Sequence, residues 1–335
     1  MTAFQRQRIF FQGGFFILFV FAPVLDLLRF DLLAGHLIVF GQPWTLGLDA
    51  YLAGRIDNPQ MALNILLRAI APALLLAAAV LGIAWRWGRL YCGWLCPHFS
   101  VVETLNQLVR KASGKQSIWD KKPGPARRPD GTPAPADHRY WWLTFPLALA
   151  FAFLWAVVLL TYLLPPAEVY GKLFALDLTR NQALFIGAGT AALFVEFTCA
   201  RHLFCRYGCA VGLFQSLAWM SNRQAMVVGY ARERARDCAA CPSFCDDVCP
   251  MRLKPRNIKR LMFACTQCGQ CIDACATVQR QHPDGGLLEW IDEQRALQAD
   301  GSQGLLSCRP LTRRPKPPLK ARALNAGAPA SGRTG

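Results

Sequence analysis

The sequence predicts an all-α membrane protein with four transmembrane helices and a separate cysteine-rich segment, on three observations. Its apolar residues fall in long blocks, its Lys and Arg crowd into alternate loops between them, and its cysteines group in short repeats. Of 335 residues, 53% are hydrophobic and only 17% charged, where a soluble domain carries about 25% charged residues. Apolar runs of bilayer length account for the difference.

Four such runs are present, at 9–28, 61–85, 141–164 and 182–199. Twenty helical residues rise about 30 Å, the thickness of the hydrocarbon layer. The run at 9–28 follows a basic N-terminus but lacks a small-residue cleavage site, so it reads as a first membrane helix and not a signal peptide. Trp141 and Trp142 open the third run, as an interfacial belt does. The stretch 32–48 is apolar but broken by Gly35, Gly41, Pro43 and Gly47. It is too short to span, and a re-entrant or interfacial segment is expected.

Loop charges orient the spans. Segment 29–60 sets Arg29 and Arg55 against Asp31, Asp49 and Asp57, and segment 165–180 sets Lys172 and Arg180 against Glu168 and Asp177. Segment 86–140 carries ten Lys and Arg, and the chain after residue 200 carries twenty more. By the positive-inside rule the basic loops and both termini are cytoplasmic. The expected location is the bacterial inner membrane. The formal charge of +16 is explained by this distribution, and no recognition motif supports nucleic-acid binding.

The division of the chain follows. Residues 1–110 hold the first two spans and 140–220 the last two. Residues 111–139, with five prolines, read as a flexible cytoplasmic linker. Residues 221–295 hold most of the cysteines, and 296–335 form a basic tail expected to be disordered.

Twelve of the fourteen cysteines lie in short groups, which favours metal or cluster ligation over a disulfide framework. Cys265-x2-Cys268-x2-Cys271-x3-Cys275 has the spacing of two-cluster bacterial ferredoxins, in which three thiolates hold one cubane and the fourth reaches its neighbour. Cys238-x2-Cys241-x3-Cys245-x3-Cys249-Pro250 is the same motif with one residue inserted. The crossed pattern gives Cys238, Cys241, Cys245 and Cys275 to one 4Fe–4S cluster, and Cys265, Cys268, Cys271 and Cys249 to a second, in a ferredoxin-like segment. The insertion leaves open which of Cys238 and Cys241 swaps out. A pair of four-thiolate zinc sites is the alternative.

A second pair of motifs follows the second and fourth runs: Cys92-Gly-Trp-Leu-Cys96-Pro97 and Cys205-Arg-Tyr-Gly-Cys209-Ala210. The C-x3-C spacing is expected to put both sulfurs of a motif on one face of a helical turn. The two pairs are expected at the cytoplasmic membrane edge, where four soft thiolates would suit copper or a third iron–sulfur cluster. Buried cysteines packing as small hydrophobes are the alternative. His98 and His202 stand beside them as candidate ligands. Glu196 and Arg68, charged residues within the runs, are candidates for function. No histidine pair has the spacing of membrane haem ligands, and no haem is expected.

These residues resemble the cytochrome c oxidase accessory protein family, the FixG, RdxA or CcoG group of membrane polyferredoxins. The resemblance covers residues 6–293 and rests on Leu90–Pro97 (LYCGWLCP), Arg206–Ser216 (RYGCAVGLFQS), Val227–Tyr230 (VVGY) and Cys265–Trp290 (CTQCGQCIDACATVQRQHPDGGLLEW). It implies two 4Fe–4S clusters and reduction of Cu(II) to Cu(I) for maturation of a cbb-type oxidase. It also implies copper-delivery partners and copper handling by Cys92, Cys96, Cys205 and Cys209. Ala210 departs from the family's proline. The short tail, where the family has a further helix and an external immunoglobulin-like domain, implies a shortened member. Whether the chain is itself an oxidoreductase is left open. A quinol-linked subunit like those of the nitrate- and nitrous-oxide-reductase systems, and a non-catalytic iron–sulfur scaffold, are the rival expectations.

Overall fold

The computed structural model describes residues 2–239 and 241–294; the expected basic tail and Cys308 lie outside them. Among the described residues, three helical stretches are long and apolar enough to cross a membrane: Asn58–Trp87, His138–Thr161 and Arg180–Ala200. These correspond to the second, third and fourth expected runs.

The first run departs from expectation. Helix α1, Ala3–Phe21, begins earlier and stops short of residue 28. It carries a buried polar stripe of Gln5, Arg8 and Gln12, while Phe10, Phe11, Ile17 and Phe21 face outward. Residues three and four apart share a helix face, so this helix is apolar outside and polar inside. Its polar stripe grips other parts of the chain, as described below.

The chain then forms a small antiparallel sheet in the order β1 (Leu28–Asp31), β2 (His36–Val39), β3 (Gln42–Trp44). The expected re-entrant segment is thus a β-meander. Gly35 and Gly41, at φ +70° and +74°, make its two turns, and Arg29 pairs with Asp31 on its buried side. It caps the far end of the third span, where Phe30 N–H donates to the Tyr162 carbonyl and Leu32 N–H to that of Leu163.

After a short helix α2 (Leu48–Leu52), the second span comprises α3 (Asn58–Ile65), a π-helical turn Leu66–Ile70, and α4 (Ala71–Trp87). The π turn lies beside Pro72. Proline has no N–H to donate to the Arg68 carbonyl four residues back, and the Trp44 indole N–H fills that place at 2.9 Å. Arg68 itself donates to the Thr45 carbonyl, so it anchors the meander. Leu74, Leu75 and Leu76 are 64–71% exposed, apolar surface that lipid would cover.

A one-turn helix α5 (Leu90–Trp94) and the amphipathic α6 (Pro97–Ser113) follow. The third span is α7 (Trp141–Thr161), entered through a 3₁₀ turn His138–Tyr140. Then come α8 (Pro166–Phe174) and the fourth span, α9 (Arg180–Val195), continued by a π turn Glu196–Ala200. The capping box of Thr179 and Gln182 starts α9. Helix α10 (Ala210–Ser221) follows a further π turn at Phe204–Gly208.

The cysteine-rich segment closes on itself. Strands β4 (Met226–Tyr230) and β5 (Leu288–Asp292) pair antiparallel, Met226 with Asp292 and Tyr230 with Leu288. Between them lie two short helices, α11 (Phe244–Asp247) and α12 (Gln270–Val278), each within or after one cysteine repeat. Residues 111–139, expected as a flexible linker, have little regular structure but are fastened down. Asp120 pairs with Arg252, the Trp119 indole donates to the Cys199 carbonyl at 2.8 Å, and Ser117 is buried.

Candidate metal centres

Three groups of four cysteines come together. Cys249, Cys265, Cys268 and Cys271 line one small cavity, walled by Met251, Leu253, Pro255, Met262 and Trp290. These are the four that the crossed pattern assigns to one cluster. Cys245, Cys238 and Cys275 are near enough to feel one another's charge, as are Cys275, Cys238 and Cys241. Cys245 and Cys271 share one apolar cluster with Leu288, so the two quartets are neighbours.

The donor chemistry fits iron–sulfur clusters. All eight side chains are free thiols, and Cys245, Cys249, Cys268 and Cys271 are buried. Burial first, then the neighbouring sulfurs, push Cys249 and Cys271 well up and Cys265 to about 12. Such thiols stay protonated at neutral pH unless a bound cation compensates their charge, so cluster loading releases protons. Among the described residues no three His, Cys, Asp or Glu side chains converge tightly enough for one ion.

The third group is Cys92, Cys96, Cys205 and Cys209. Cys96 feels the charge of Cys92 and Cys209, and Cys205 that of Cys96 and Cys92. The expected continuous helical turn is not what brings them there. Helix α5 ends at Trp94, and Cys96, in extended conformation (φ −60°, ψ 115°), is the N-cap of α6. Cys209 (φ −80°, ψ 110°) is likewise the N-cap of α10. Each motif is thus a break between helices that sets its second sulfur at the positive end of the next helix. Pro97 and Ala210 are equivalent first helical residues. That position needs no N–H, which explains why alanine serves where the resemblance led us to expect proline.

The cluster-rich segment sits directly on the Cys92 motif. The Thr266 carbonyl oxygen lies 2.0 Å from where a Cβ on Gly93 would be. The Trp94 indole donates to the Gln267 carbonyl at 3.3 Å, and the Gln5 amide to that of Cys268 at 2.9 Å. Arg8 and Gln12 both donate to the Gly93 carbonyl, at 2.9 and 3.1 Å. Arg8 also pairs with the buried Glu103 carboxylate, which accepts from Gln270 as well. The hydropathy of the first run hid these residues; the spacing of Gln5, Arg8 and Gln12 was the available signal.

The histidines separate. His98 Nδ1 lies 3.6 Å from the Cys205 sulfur and its Nε2 lies 3.0 Å from Glu196 Oε2, among the rings of Trp155, Phe197 and Phe204. Glu196, in the terminal π turn of the fourth span, thus joins the third cysteine group through His98. His202 is buried in a different setting: burial first, then Arg252 and Arg201, lower it to about 4. It is neutral at neutral pH and is not grouped with the sulfurs.

Comparison with known proteins points to iron–sulfur binding. A family described as a 4Fe-4S binding domain matches residues 70–116 and 181–224, each stretch holding one membrane-edge motif. YccM of Escherichia coli (strain K12), whose name links it to electron transport, is 24% identical over 217 residues, 61% of this chain and 54% of its own length. The chain therefore spans about half of that curated relative. No solved structure matches. The chain is similar to iron–sulfur electron-transfer proteins, and it carries two 4Fe–4S clusters.

Proposed function

We propose that the protein is a membrane-anchored electron carrier in which two clusters, one on each ferredoxin quartet, exchange electrons with the thiolate group at the membrane edge. The observation that carries this reading is the seating of the Thr266 carbonyl in the space left by Gly93. It holds the Cys265–Cys271 loop against Cys92. In this reading Cys238, Cys241, Cys245 and Cys275 hold cluster one and Cys265, Cys268, Cys271 and Cys249 hold cluster two. Helix α1 completes a set of four spans, and the basic face, both termini and all twelve grouped cysteines lie on the cytoplasmic side of a bacterial inner membrane.

The acceptor we favour is Cu(II). The clusters that the two quartets would hold would supply one electron each, enough to take one Cu(II) to Cu(I), and the soft sulfurs of Cys92, Cys96, Cys205 and Cys209 would retain the Cu(I). A product of that kind suits supply to a copper-containing oxidase of the cbb type. The His98–Glu196 contact beside Cys205 favours a second reading, electron entry from a quinol whose protons these groups accept. Reduced protein mixed with Cu(II) and a Cu(I) chelator distinguishes the two. About two Cu(I) per chain, for two one-electron clusters, is expected, with the rate strongly reduced in Cys205→Ser. No Cu(I), with cluster reduction by a quinol analogue instead, would favour the second reading.

A further inference from the structure

Arg89 connects the second span to the Cys92 motif. Gly88 before it, at φ +73° and ψ −150°, turns the chain in a way a side-chain-bearing residue rarely adopts. The guanidinium is thereby drawn inward and is 1% exposed. Gly212 of α10 leaves the slot it fills, since a Cβ there would lie 2.0 Å from Arg89 Nη2. Nη2 donates to the Cys205 carbonyl at 2.7 Å, and Nε has no hydrogen-bond partner.

Among the described residues no carboxylate lies within ion-pair distance of Arg89, although other buried cations such as Arg8 and Lys259 have one. A buried charge without a partner is strongly unfavourable. Its charge instead acts on three cysteines. Cys92 and Cys205 stand within its electrostatic reach on the membrane-edge side, and Cys265 on the side of the second quartet. The N-termini of α6 and α10, whose caps are Cys96 and Cys209, bring further positive potential to the membrane-edge group.

We propose that Arg89 is the counter-charge shared by the membrane-edge thiolates and the facing 4Fe–4S cluster, a positioning residue that raises the potential at which that cluster is reduced. Reduction adds one electron and one negative charge to the cluster; no bond changes and Arg89 stays protonated. The inference rests on the electron-transfer reading above. The quartet of Cys238, Cys241, Cys245 and Cys275 has its own cation, Arg256, whose Nη1 lies 3.8 Å from the Cys238 sulfur, so it serves as an internal reference.

The test is an EPR-monitored redox titration of the full-length, anaerobically purified protein, with dithionite as reductant, in wild type, Arg89→Lys, Arg89→Gln and Gly212→Ala. Arg89→Gln is expected to make one cluster at least tenfold less reduced at a fixed potential, about 59 mV for one electron, with the other unchanged. Arg89→Lys restores most of the shift, and Gly212→Ala, which pushes the guanidinium from its slot, reproduces part of it. If Arg89→Gln does not accumulate, Gly212→Ala against Arg89→Lys gives the same comparison. Equal potentials in all variants, at equal iron content, would overturn the role of Arg89 while leaving the electron-transfer reading intact. A wild type without reducible clusters would overturn that reading itself.

Discussion

Replacing Gly93 with alanine is expected to slow electron passage between the cluster segment and the membrane edge at least tenfold, equivalent to about 1.4 kcal/mol on the barrier. The new methyl group would meet the Thr266 carbonyl oxygen at 2.0 Å and its carbon at 3.0 Å. Both are backbone atoms, so no rotamer change relieves the clash. The loop between Cys265 and Cys268 must move away, and overpacking of this kind costs about 1–3 kcal/mol. The eight ferredoxin cysteines are untouched, so most of the iron should remain. Gly82→Ala is the control: nothing lies within 4 Å of its Cβ position, and alanine favours the helix there by about 1 kcal/mol. Stopped-flow oxidation of the reduced clusters by Cu(II) reads the difference. A wild-type rate in Gly93→Ala would remove the docked loop from the route.

Glu103→Ala should destabilise the protein by about 3–5 kcal/mol, because it leaves the buried Arg8 charge without its partner. Arg8 is 1% exposed and Glu103 8%. The same carboxylate accepts from Gln12 at 3.2 Å and from Gln270, so one substitution releases α6 from α1 and from Gln270 of α12 together. The double variant Arg8→Met with Glu103→Leu should recover most of the loss, since it removes both charges. Thermal unfolding in detergent, run as a double-mutant cycle, measures this. Independent, additive effects of the two single substitutions would show that the pair is not coupled.

Much of this arrangement is legible in the sequence because it is carried by spacing. The apolar runs mark the second, third and fourth long helices closely, and the crossed pairing of the two cysteine repeats names the four thiols that gather around the cavity. Other parts depend on contacts that no local pattern encodes. Helix α1 stops at Phe21, just before Pro23, and its Gln5, Arg8 and Gln12 turn one face toward Gly93, Glu103 and Cys268; an average over the chain loses that face. The meander escaped because its strands have only three or four residues each, too few for a period to show. The helical-turn reading of the C-x3-C motifs failed because each second cysteine is a helix cap, which Pro97 signals directly. In the proline-rich stretch, composition points to flexibility, but Ser117, Trp119 and Asp120 supply specific attachments. Arg89 was counted only as loop charge; its burial is a product of Gly88 and Gly212, which are distant in sequence.

The most direct test of the central claim is iron and sulfide analysis with EPR on anaerobically purified, dithionite-reduced protein. The account predicts about eight irons per chain and two interacting S = 1/2 centres, with Cys268→Ser removing about four of the irons. Protein never exposed to air that contains zinc and no iron would contradict it.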